Sequence, residues 1–162
     1  MYICNKVKTM ATQNIYVMIG LPGSGKDTWI KNNLPDCKYV ASRDDIRIEL
    51  GICEPGGKGL GDSRQEGLVS SIFDTKLLEY VRSGEDVVIN NINLKKRFRM
   101  HYHQLLRNFV LNWIYIIIKA PSIEDNIKRR AGQIPPEVIR SMAERYEEPT
   151  PDEYNEIHII QQ

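Results

Sequence analysis

The feature that most constrains this chain is a short apolar run that ends in a glycine-rich turn and a lysine. Residues 15–19 suit a buried strand, and Gly20-Leu-Pro-Gly-Ser-Gly25-Lys26 follows directly. A turn almost bare of side chains lets backbone N–H groups converge on phosphate oxygens at the positive end of the next helix. Lys26 adds a full positive charge at the β- and γ-phosphates. The pattern predicts a nucleotide phosphate site formed by Gly20, Pro22, Gly23, Ser24, Gly25, Lys26, Asp27 and Thr28.

Apolar runs and helical patterns alternate along the rest of the chain. Buried strands that alternate with helices indicate a parallel sheet whose strands are joined by crossover helices, which is an α/β fold. The length of 162 residues is that of one domain, so we expect 1–162 to form a single domain with an N-terminal extension at 1–13. Further strands are predicted at 38–41, 87–89, 111–118 and 156–160, with helices at 65–83, 94–107, 122–130 and from 135 onward. A glycine-rich loop is predicted at 55–61.

Composition and charge exclude several classes of protein. The chain is 41% hydrophobic and 27% charged, which excludes a disordered or fibrous protein. Its longest apolar run, 113–118, is far shorter than the ~20 residues of a membrane-spanning helix, so no membrane partner is expected. The net charge of +1 means that a polyanion would have to be held by a local basic patch. We expect a cytoplasmic protein with three free thiols, at Cys4, Cys37 and Cys53.

Two residue exchanges suggest an unusual metal site. Asp27 occupies the position after the loop lysine, where a Ser or Thr hydroxyl would ligate Mg²⁺. Asn90 and Asn91 end the strand at 87–89, where a metal-site Asp would be expected. A carboxylate can ligate Mg²⁺ directly or through water, so we expect Asp27 and one of these asparagines, Asn91 in the main assignment, to share the metal. The alternative is that Asp27 only stabilises the N-terminus of the helix.

The segment Ser42-Arg-Asp44-Asp45-Ile-Arg47 follows a predicted strand and opens a helix. One interpretation is a helix cap, with Ser42 bonded to the first turn and acids at the positive helix end. The other is functional, because residues just beyond the carboxyl ends of parallel strands face one crevice. Asp44 would then lie opposite the γ-phosphate, and Arg47 would project from the same helix face.

The helix at 94–107 has an apolar face and a predicted basic outer stripe. A basic stripe can contact a nucleic-acid backbone or can be a solvated face, and both interpretations stay open. The acidic segment 147–153 that follows the last helix is assigned no chemistry. The predicted stripe consists of Lys96, Arg99, His103 and Arg107.

Five motifs together resemble the phage-type P-loop 5′-hydroxyl polynucleotide kinases: GLPGSGKDTW, SRDDIR, EGLVSSIFDT, NINLKKR and IPPEVIRSM. The resemblance implies a three-layer P-loop kinase fold with a parallel sheet of four to five strands and a helical lid at about 121–140. It also implies ATP and Mg²⁺ as cofactors and the 5′ ends of DNA or RNA as substrate. Asp27 and Asn91 depart from the family pattern, which has Ser and an acid there.

The resemblance assigns roles to single residues. It implies that Asp44 is the general base for the 5′-hydroxyl and that Arg47 grips the phosphate of the acceptor strand. Lys26 and a lid arginine, Arg129 or Arg130, would neutralise the transferring phosphoryl group.

Three functions stay open at this stage. The first is a polynucleotide 5′-hydroxyl kinase in nucleic-acid repair, which would act in the host cytoplasm if a phage encodes it. The second is a small-molecule or nucleotide kinase on the same scaffold, because fold and loop do not select the acceptor. The third is a nucleotide-binding module without catalysis, suggested by Asp27 and Asn91. The oligomeric state is left open, a homo-oligomer included.

Overall fold

The computed structural model describes residues 12–54 and 62–162. The predicted loop at 55–61 and residues 1–11 of the predicted extension, with Cys4, lie outside the described residues. Cys37 and Cys53 are free thiols, as predicted. No helix in the described ranges combines the length and apolar character needed to cross a membrane.

The described strands form one fully parallel five-stranded sheet. Its order is β2-β3-β1-β4-β5, so the first strand of the chain lies in the centre. Val17 of the central strand pairs with Ile89 on one side and Tyr115 on the other. The strands are β1 (Gln13–Ile19), β2 (Tyr39–Ala41), β3 (Val87–Asn90), β4 (Leu111–Lys119) and β5 (Glu156–Gln161).

Local signals set the helix boundaries. Ser42, which precedes one helix, accepts a hydrogen bond from the Asp45 N–H at 3.2 Å. Asp62, which precedes another helix, forms a capping box with Gln65. Each of these two helices therefore begins where backbone donors are satisfied. The described helices are α1 (Lys26–Asn33), α2 (Arg43–Glu49), α3 (Ser63–Arg82), α4 (Lys96–Leu105), α5 (Ile123–Arg129) and α6 (Pro136–Glu144), and a short 3₁₀ turn spans Pro151–Glu153.

Helices cover both faces of the sheet. Side chains alternate between the faces of a strand, so Ile15, Val17 and Ile19 pack with one core cluster and Met18 with the other. The first cluster includes the buried face of α3, and the second includes Ile30 of α1. The predicted three-layer α/β architecture with a parallel sheet is confirmed. The α3 residues of the first cluster are Val69, Phe73, Leu77 and Val81.

One expectation about α4 is wrong. Arg99 does not belong to a basic outer stripe, because its side chain is fully buried and pairs with Glu153 at 2.7 Å. Phe98, assigned to the apolar face, is 38% exposed instead. Tyr102 and Leu106 of the predicted apolar face are buried as expected, and Arg99 is buried beside them because a charge partner from the segment 147–153 makes burial of the guanidinium tolerable. That segment, to which the sequence assigned no role, supplies the partner.

Candidate active site

The loop between β1 and α1 needs glycine at three positions. Gly23 and Gly25 have φ angles of 77° and 95°, which side chains other than glycine rarely adopt. At Gly20 a Cβ atom would lie 2.6 Å from the carbonyl oxygen of Ile118 and 2.6 Å from Ser24 Oγ. The spacing seen in the sequence is therefore imposed by backbone geometry and by the close approach of β4. The Ser24 side chain is buried, and its hydroxyl has no hydrogen-bond partner among the described residues.

Lys26 bends back over the loop. Its Nζ donates hydrogen bonds to the carbonyl oxygens of Gly20, at 2.8 Å, and Leu21, at 3.0 Å. Burial lowers the pKa of Lys26 to about 8; the charges of Asp27 and Asp44 oppose this shift and Arg130 adds to it. The ammonium is bonded to neutral carbonyls here, so an anion placed beside it would stabilise its charge.

Asp27 lies in the first turn of α1 and faces the end of β3. Its Oδ1 accepts a hydrogen bond from Asn90 Nδ2 at 2.7 Å. The helix is capped by Gly25 without a side-chain bond, and Thr28 is exposed in the same turn. The structure thus brings Asp27 together with Asn90, one of the two asparagines that the sequence placed near a metal.

Asn91 points elsewhere. Its Oδ1 accepts from the backbone N–H of Arg43 at 3.0 Å, and its Nδ2 donates to the hydroxyl of Tyr102 at 3.2 Å. Both ends of the amide are therefore occupied by groups other than Asp27. The described ranges contain no group of three or more His, Cys, Asp and Glu side chains that could hold a metal. Mg²⁺ in kinase sites is held by one or two carboxylates together with substrate phosphates and water, which fits a site built on Asp27.

Asp44 and Arg47 lie together on α2, beyond the carboxyl end of β2. Arg47 Nη1 donates to Asp44 Oδ1 at 2.6 Å. Arg47 Nε and Nη2 donate to the two carboxylate oxygens of Glu66, at 2.9 and 2.8 Å. The Asp44 side chain is 78% exposed, whereas that of Arg47 is 14% exposed. The fork of the guanidinium is thus fixed by Glu66 of α3, and its third bond reaches an open carboxylate.

Asp45, next to Asp44, reports on the charge at this edge of the sheet. Burial raises the pKa of Asp45, and repulsion from Asp27 and Asp44 raises it further. The negative charges of Asp27 and Asp44 therefore both act on Asp45. A divalent cation would relieve their mutual repulsion.

Helix α5 of the predicted lid packs directly on the loop. Asn126 Nδ2 donates to the Pro22 carbonyl at 3.0 Å, and Arg129 Nη1 donates to the Gly23 carbonyl at 3.0 Å. A Cβ on Gly23 would lie 3.3 Å from side-chain carbons of both Arg129 and Arg130. Arg129 is thereby hydrogen-bonded to the loop backbone. Arg130 donates to Gln133 instead, and the charge of Arg130 acts on Lys26.

Several residues of the site were not found from the sequence. Glu66 lies in one of the recognised motifs, but its partner is 19 residues away, and only the packing of α2 on α3 joins them. Gln162 follows the last strand, and its side chain lies against Gly25 and accepts from Arg129 at 3.2 Å. Asn126 carries no local signal, since its role depends on α5 meeting the loop.

Comparison with known proteins gives the family. A model of AAA domains, named AAA_33, matches residues 15–149. The chain belongs to this family. The match of this AAA domain includes the phosphate loop and helices α2, α5 and α6.

Solved structures of the same fold include kinases. A chain of the Pnkp1/Rnl/Hen1 RNA repair complex has a TM-score of 0.71 at 19% identity, over 86% of this AAA domain and 46% of that chain. A candidate kinase from Chloroflexus aurantiacus has a TM-score of 0.67 at 16% identity, over 94% and 86% of the two chains. A sugar kinase from a Janibacter species has a TM-score of 0.57 at 21% identity, over 93% and 86%. The AAA domain therefore has a P-loop kinase-like fold, which these similarities establish without selecting an acceptor.

Proposed function

We propose that this AAA domain is an ATP-dependent polynucleotide 5′-hydroxyl kinase, which transfers the γ-phosphate of ATP to the 5′-hydroxyl end of DNA or RNA. The observation that supports it most is the Asp44–Arg47 pair on one turn of α2, together with the action of the Asp44 charge on Lys26. A base and an anion-binding cation at this spacing suit an acceptor that carries a phosphate beside its reactive hydroxyl. A simple alcohol would not require the arginine.

The access of the two side chains agrees with these roles. Asp44 is open to an incoming hydroxyl, because its side chain is 78% exposed. Arg47 uses three of the five N–H groups of a guanidinium in the bonds to Glu66 and Asp44, which leaves donors for a substrate phosphate. Glu66 would hold the guanidinium plane in place while the acceptor binds.

In the proposed reaction the 5′-hydroxyl oxygen attacks the γ-phosphorus and a new P–O bond forms. The bond between the γ-phosphorus and the β–γ bridging oxygen breaks, ADP leaves, and Asp44 accepts the hydroxyl proton. Lys26 exchanges the carbonyls of Gly20 and Leu21 for phosphate oxygens, which stabilises the charge of the transferred group. Arg130 provides a second cation, while Arg129 holds the lid on the loop.

The donors near the loop fit Mg²⁺. Asp27 supplies an exposed carboxylate, and Asn90, bonded to it, supplies an amide. When bound, Mg²⁺ would neutralise charge on the β- and γ-phosphates. Asn91, the second asparagine considered, has both amide ends occupied by Arg43 and Tyr102.

An acceptor screen tests the proposal. Transfer from γ-labelled ATP with Mg²⁺ is measured on DNA and RNA oligonucleotides with a 5′-hydroxyl, a nucleoside 3′-monophosphate, nucleosides and sugars. We expect transfer to the oligonucleotides and none to the same oligonucleotides with a 5′-phosphate. Transfer to sugars alone would favour the second function, a small-molecule kinase, for which the fold of the Janibacter sugar kinase is the supporting observation.

The variant Asp44→Asn tests the general base. Loss of a positioned base costs about 10²–10⁴-fold in rate, and ATP binding should be retained. Glu49→Gln is the matched control, because Glu49 lies on the same helix and bonds Lys76 of α3 instead of facing the loop. Equal activity in the two variants would remove Asp44 from the reaction. ATP binding without transfer to any acceptor would favour the non-catalytic module.

A further inference from the structure

A continuous chain of hydrogen bonds joins the first residue of α2 to the strand that carries the phosphate loop. The Arg43 N–H donates to Asn91 Oδ1 at 3.0 Å, and Asn91 Nδ2 donates to the Tyr102 hydroxyl at 3.2 Å. Tyr102 donates in turn to Asn93 Oδ1 at 2.8 Å, and Asn93 Nδ2 donates to the Met18 carbonyl at 2.7 Å. We call Asn91, Tyr102 and Asn93 the amide–phenol chain.

The interior of the amide–phenol chain is buried and fixed. Tyr102 and Asn93 are each 2% exposed, and Asn93 adopts a positive φ of 50°, unlike any other non-glycine residue in the described ranges. Asparagine adopts this conformation more readily than most other residues, and the bonds of its side chain to Tyr102 and Met18 fix it here. The side-chain polar groups of Tyr102 and Asn93 have hydrogen-bond partners within the protein, so they do not require water.

The two ends of the amide–phenol chain lie at the two halves of the candidate site. Arg43 immediately precedes Asp44, so the bond to its N–H holds the first turn of α2. Met18 lies two residues before Gly20, and the Gly20 N–H donates to the Ile92 carbonyl at 3.1 Å, inside the same segment. The segment 91–93 is therefore bonded both to the base-bearing helix and to the loop.

We propose that Asn91 and Tyr102 are positioning residues that set the distance between Asp44 and the phosphate loop, and that Asn91 is not a metal ligand. This inference rests on the proposed role of Asp44. Rates of group transfer depend steeply on the placement of the base relative to the reacting atoms. Asn91 turns away from Asp27, and its amide connects the two halves of the site instead.

A merely structural role predicts a different outcome. Tyr102 also packs its ring against Phe73, at 5.8 Å between centroids, and phenylalanine would keep that contact. Only the hydroxyl joins the two amides, so its removal separates positioning from core packing. Burial raises the pKa of Tyr102, which keeps the hydroxyl protonated as a donor to Asn93.

The first experiment compares Tyr102→Phe with Tyr146→Phe. Tyr146 is a matched control, since its hydroxyl is buried without a partner among the described residues. We expect Tyr102→Phe to lower kcat about 10- to 100-fold, on the scale that a 1 Å misplacement can cost, with the KM for ATP and the half-saturating Mg²⁺ concentration unchanged. Tyr146→Phe should match the wild type in all three. Equal kcat values in the two folded variants would overturn the inference.

The second experiment separates positioning from metal ligation at Asn91. Asn91→Ala loses the acceptor for the Arg43 N–H, and Asn91→Asp keeps an acceptor oxygen there. We expect Asn91→Asp to recover most of the activity lost in Asn91→Ala, with the same Mg²⁺ dependence in both. The double variant Asn91→Ala/Tyr102→Phe should be no slower than the slower single variant, because both break one chain. A Mg²⁺ requirement that changes in Asn91→Ala but not in Tyr102→Phe would make Asn91 a metal ligand.

A third readout does not require activity. Amide hydrogen exchange at Arg43 and at Gly20 should become about 10-fold faster in Tyr102→Phe and stay unchanged in Tyr146→Phe. If no acceptor is phosphorylated but this exchange pattern is found, the proposed function fails while the coupling of the two segments stands. If transfer occurs and exchange at Arg43 is unaffected by Tyr102→Phe, the inference fails while the proposed function stands.

Discussion

Two arginine–glutamate pairs in this AAA domain have the same chemistry and different surroundings. Arg99 donates Nε and Nη2 to the carboxylate of Glu153, at 2.7 and 3.2 Å, and both side chains are fully buried. Arg47 donates Nε and Nη2 to Glu66, at 2.9 and 2.8 Å, with side chains 14% and 29% exposed. The same bidentate geometry therefore occurs once in the core and once at the candidate site.

The third bond of each guanidinium shows what the pair can do. Arg99 Nη1 donates to the carbonyl oxygens of Asn93 and Leu94, at 3.0 and 3.1 Å, so its donors end inside the fold. Arg47 Nη1 donates to Asp44, which opens to solvent. A buried charge with fixed partners holds neighbouring segments together, whereas one that ends at an exposed carboxylate can exchange that partner for substrate. Exposure of the last partner, rather than the pairing itself, distinguishes the candidate site from the scaffold.

The largest effect is expected at the buried pair. Glu153→Gln leaves Arg99 as a buried charge without a counterion, which typically costs 3–5 kcal/mol. Urea denaturation monitored by circular dichroism would measure the loss. Burial by itself would raise the pKa of Glu153, but the hydrogen bonds from Arg99 and from the Thr150 N–H lower it overall. Its stabilisation should therefore be present above the pKa of an unfolded glutamate and lost as the pH falls through the lower folded pKa.

A double variant is the control for this prediction. Arg99→Met/Glu153→Leu removes both charges and should be less destabilised than Glu153→Gln, since apolar residues of similar size tolerate the site. It should also lose the acid dependence. A double variant as unstable as the single one would show that the pair acts through its hydrogen bonds to Asn93, Leu94 and Thr150 instead of through charge.

The next effect is expected at the exposed pair, and on activity. Glu66→Gln keeps one acceptor for Arg47 but removes the charge and the bidentate geometry. Unfolding free energy should change by about 1 kcal/mol or less, because the pair is partly exposed. We expect kcat/KM for a 5′-hydroxyl oligonucleotide to fall about 30- to 100-fold with the KM for ATP unchanged, on the scale of one lost charge-assisted contact. Glu79→Gln, an exposed position on the same helix, is the control, and a comparable loss there would exclude a specific role for Glu66.

Much of the fold follows from local patterns. The buried strands carry continuous apolar runs, and α2 begins at a residue that bonds its first turn. The burial of Arg99 could not be predicted, because an arginine on a helix is usually solvated and its partner lies 54 residues away. Periodicity places Tyr102 and Leu106 correctly on the buried side of the helix, whereas the burial of Arg99 depends on a distant carboxylate.

The candidate site also contains parts that the sequence predicts and parts that it does not. The phosphate loop can be predicted because its glycines are required by local backbone angles and by the neighbouring strand. Asn90 and Asn91 are adjacent in sequence, yet alternation along the strand end sends one to Asp27 and the other to Arg43. Sequence could place both asparagines at the right edge of the sheet but could not say which one faces the loop.

A smaller effect is expected at Lys26, a cation that is bonded to carbonyl oxygens and not to a carboxylate. Burial lowers the pKa of Lys26 to about 8, so the charged and neutral forms are about equal at pH 8 and the neutral form predominates at pH 9. Phosphate binding requires the charged form, and ATP affinity should therefore be about 10-fold weaker at pH 9 than at pH 7. Titration calorimetry between pH 8 and 9 in buffers of different ionisation enthalpy should show proton uptake, since the nucleotide itself is fully ionised there. Binding without proton uptake in that range would mean that Lys26 is already charged in the empty site or takes no part.

The smallest effect is expected at the ion pair that joins helices α5 and α6. Arg140 Nη1 bonds Glu124 at 2.6 Å, and the two side chains are 51% and 66% exposed. Exposed pairs are screened by salt and held at a cost in side-chain entropy, so Glu124→Gln should leave the urea midpoint unchanged at 0.15 M salt. Its ATP affinity should also match the wild type, because α5 is fixed to the loop by Asn126 and Arg129. A loss of ATP affinity that disappears at high salt would instead show that an exposed pair positions the lid, and exposure of the partner would then no longer separate scaffold from site.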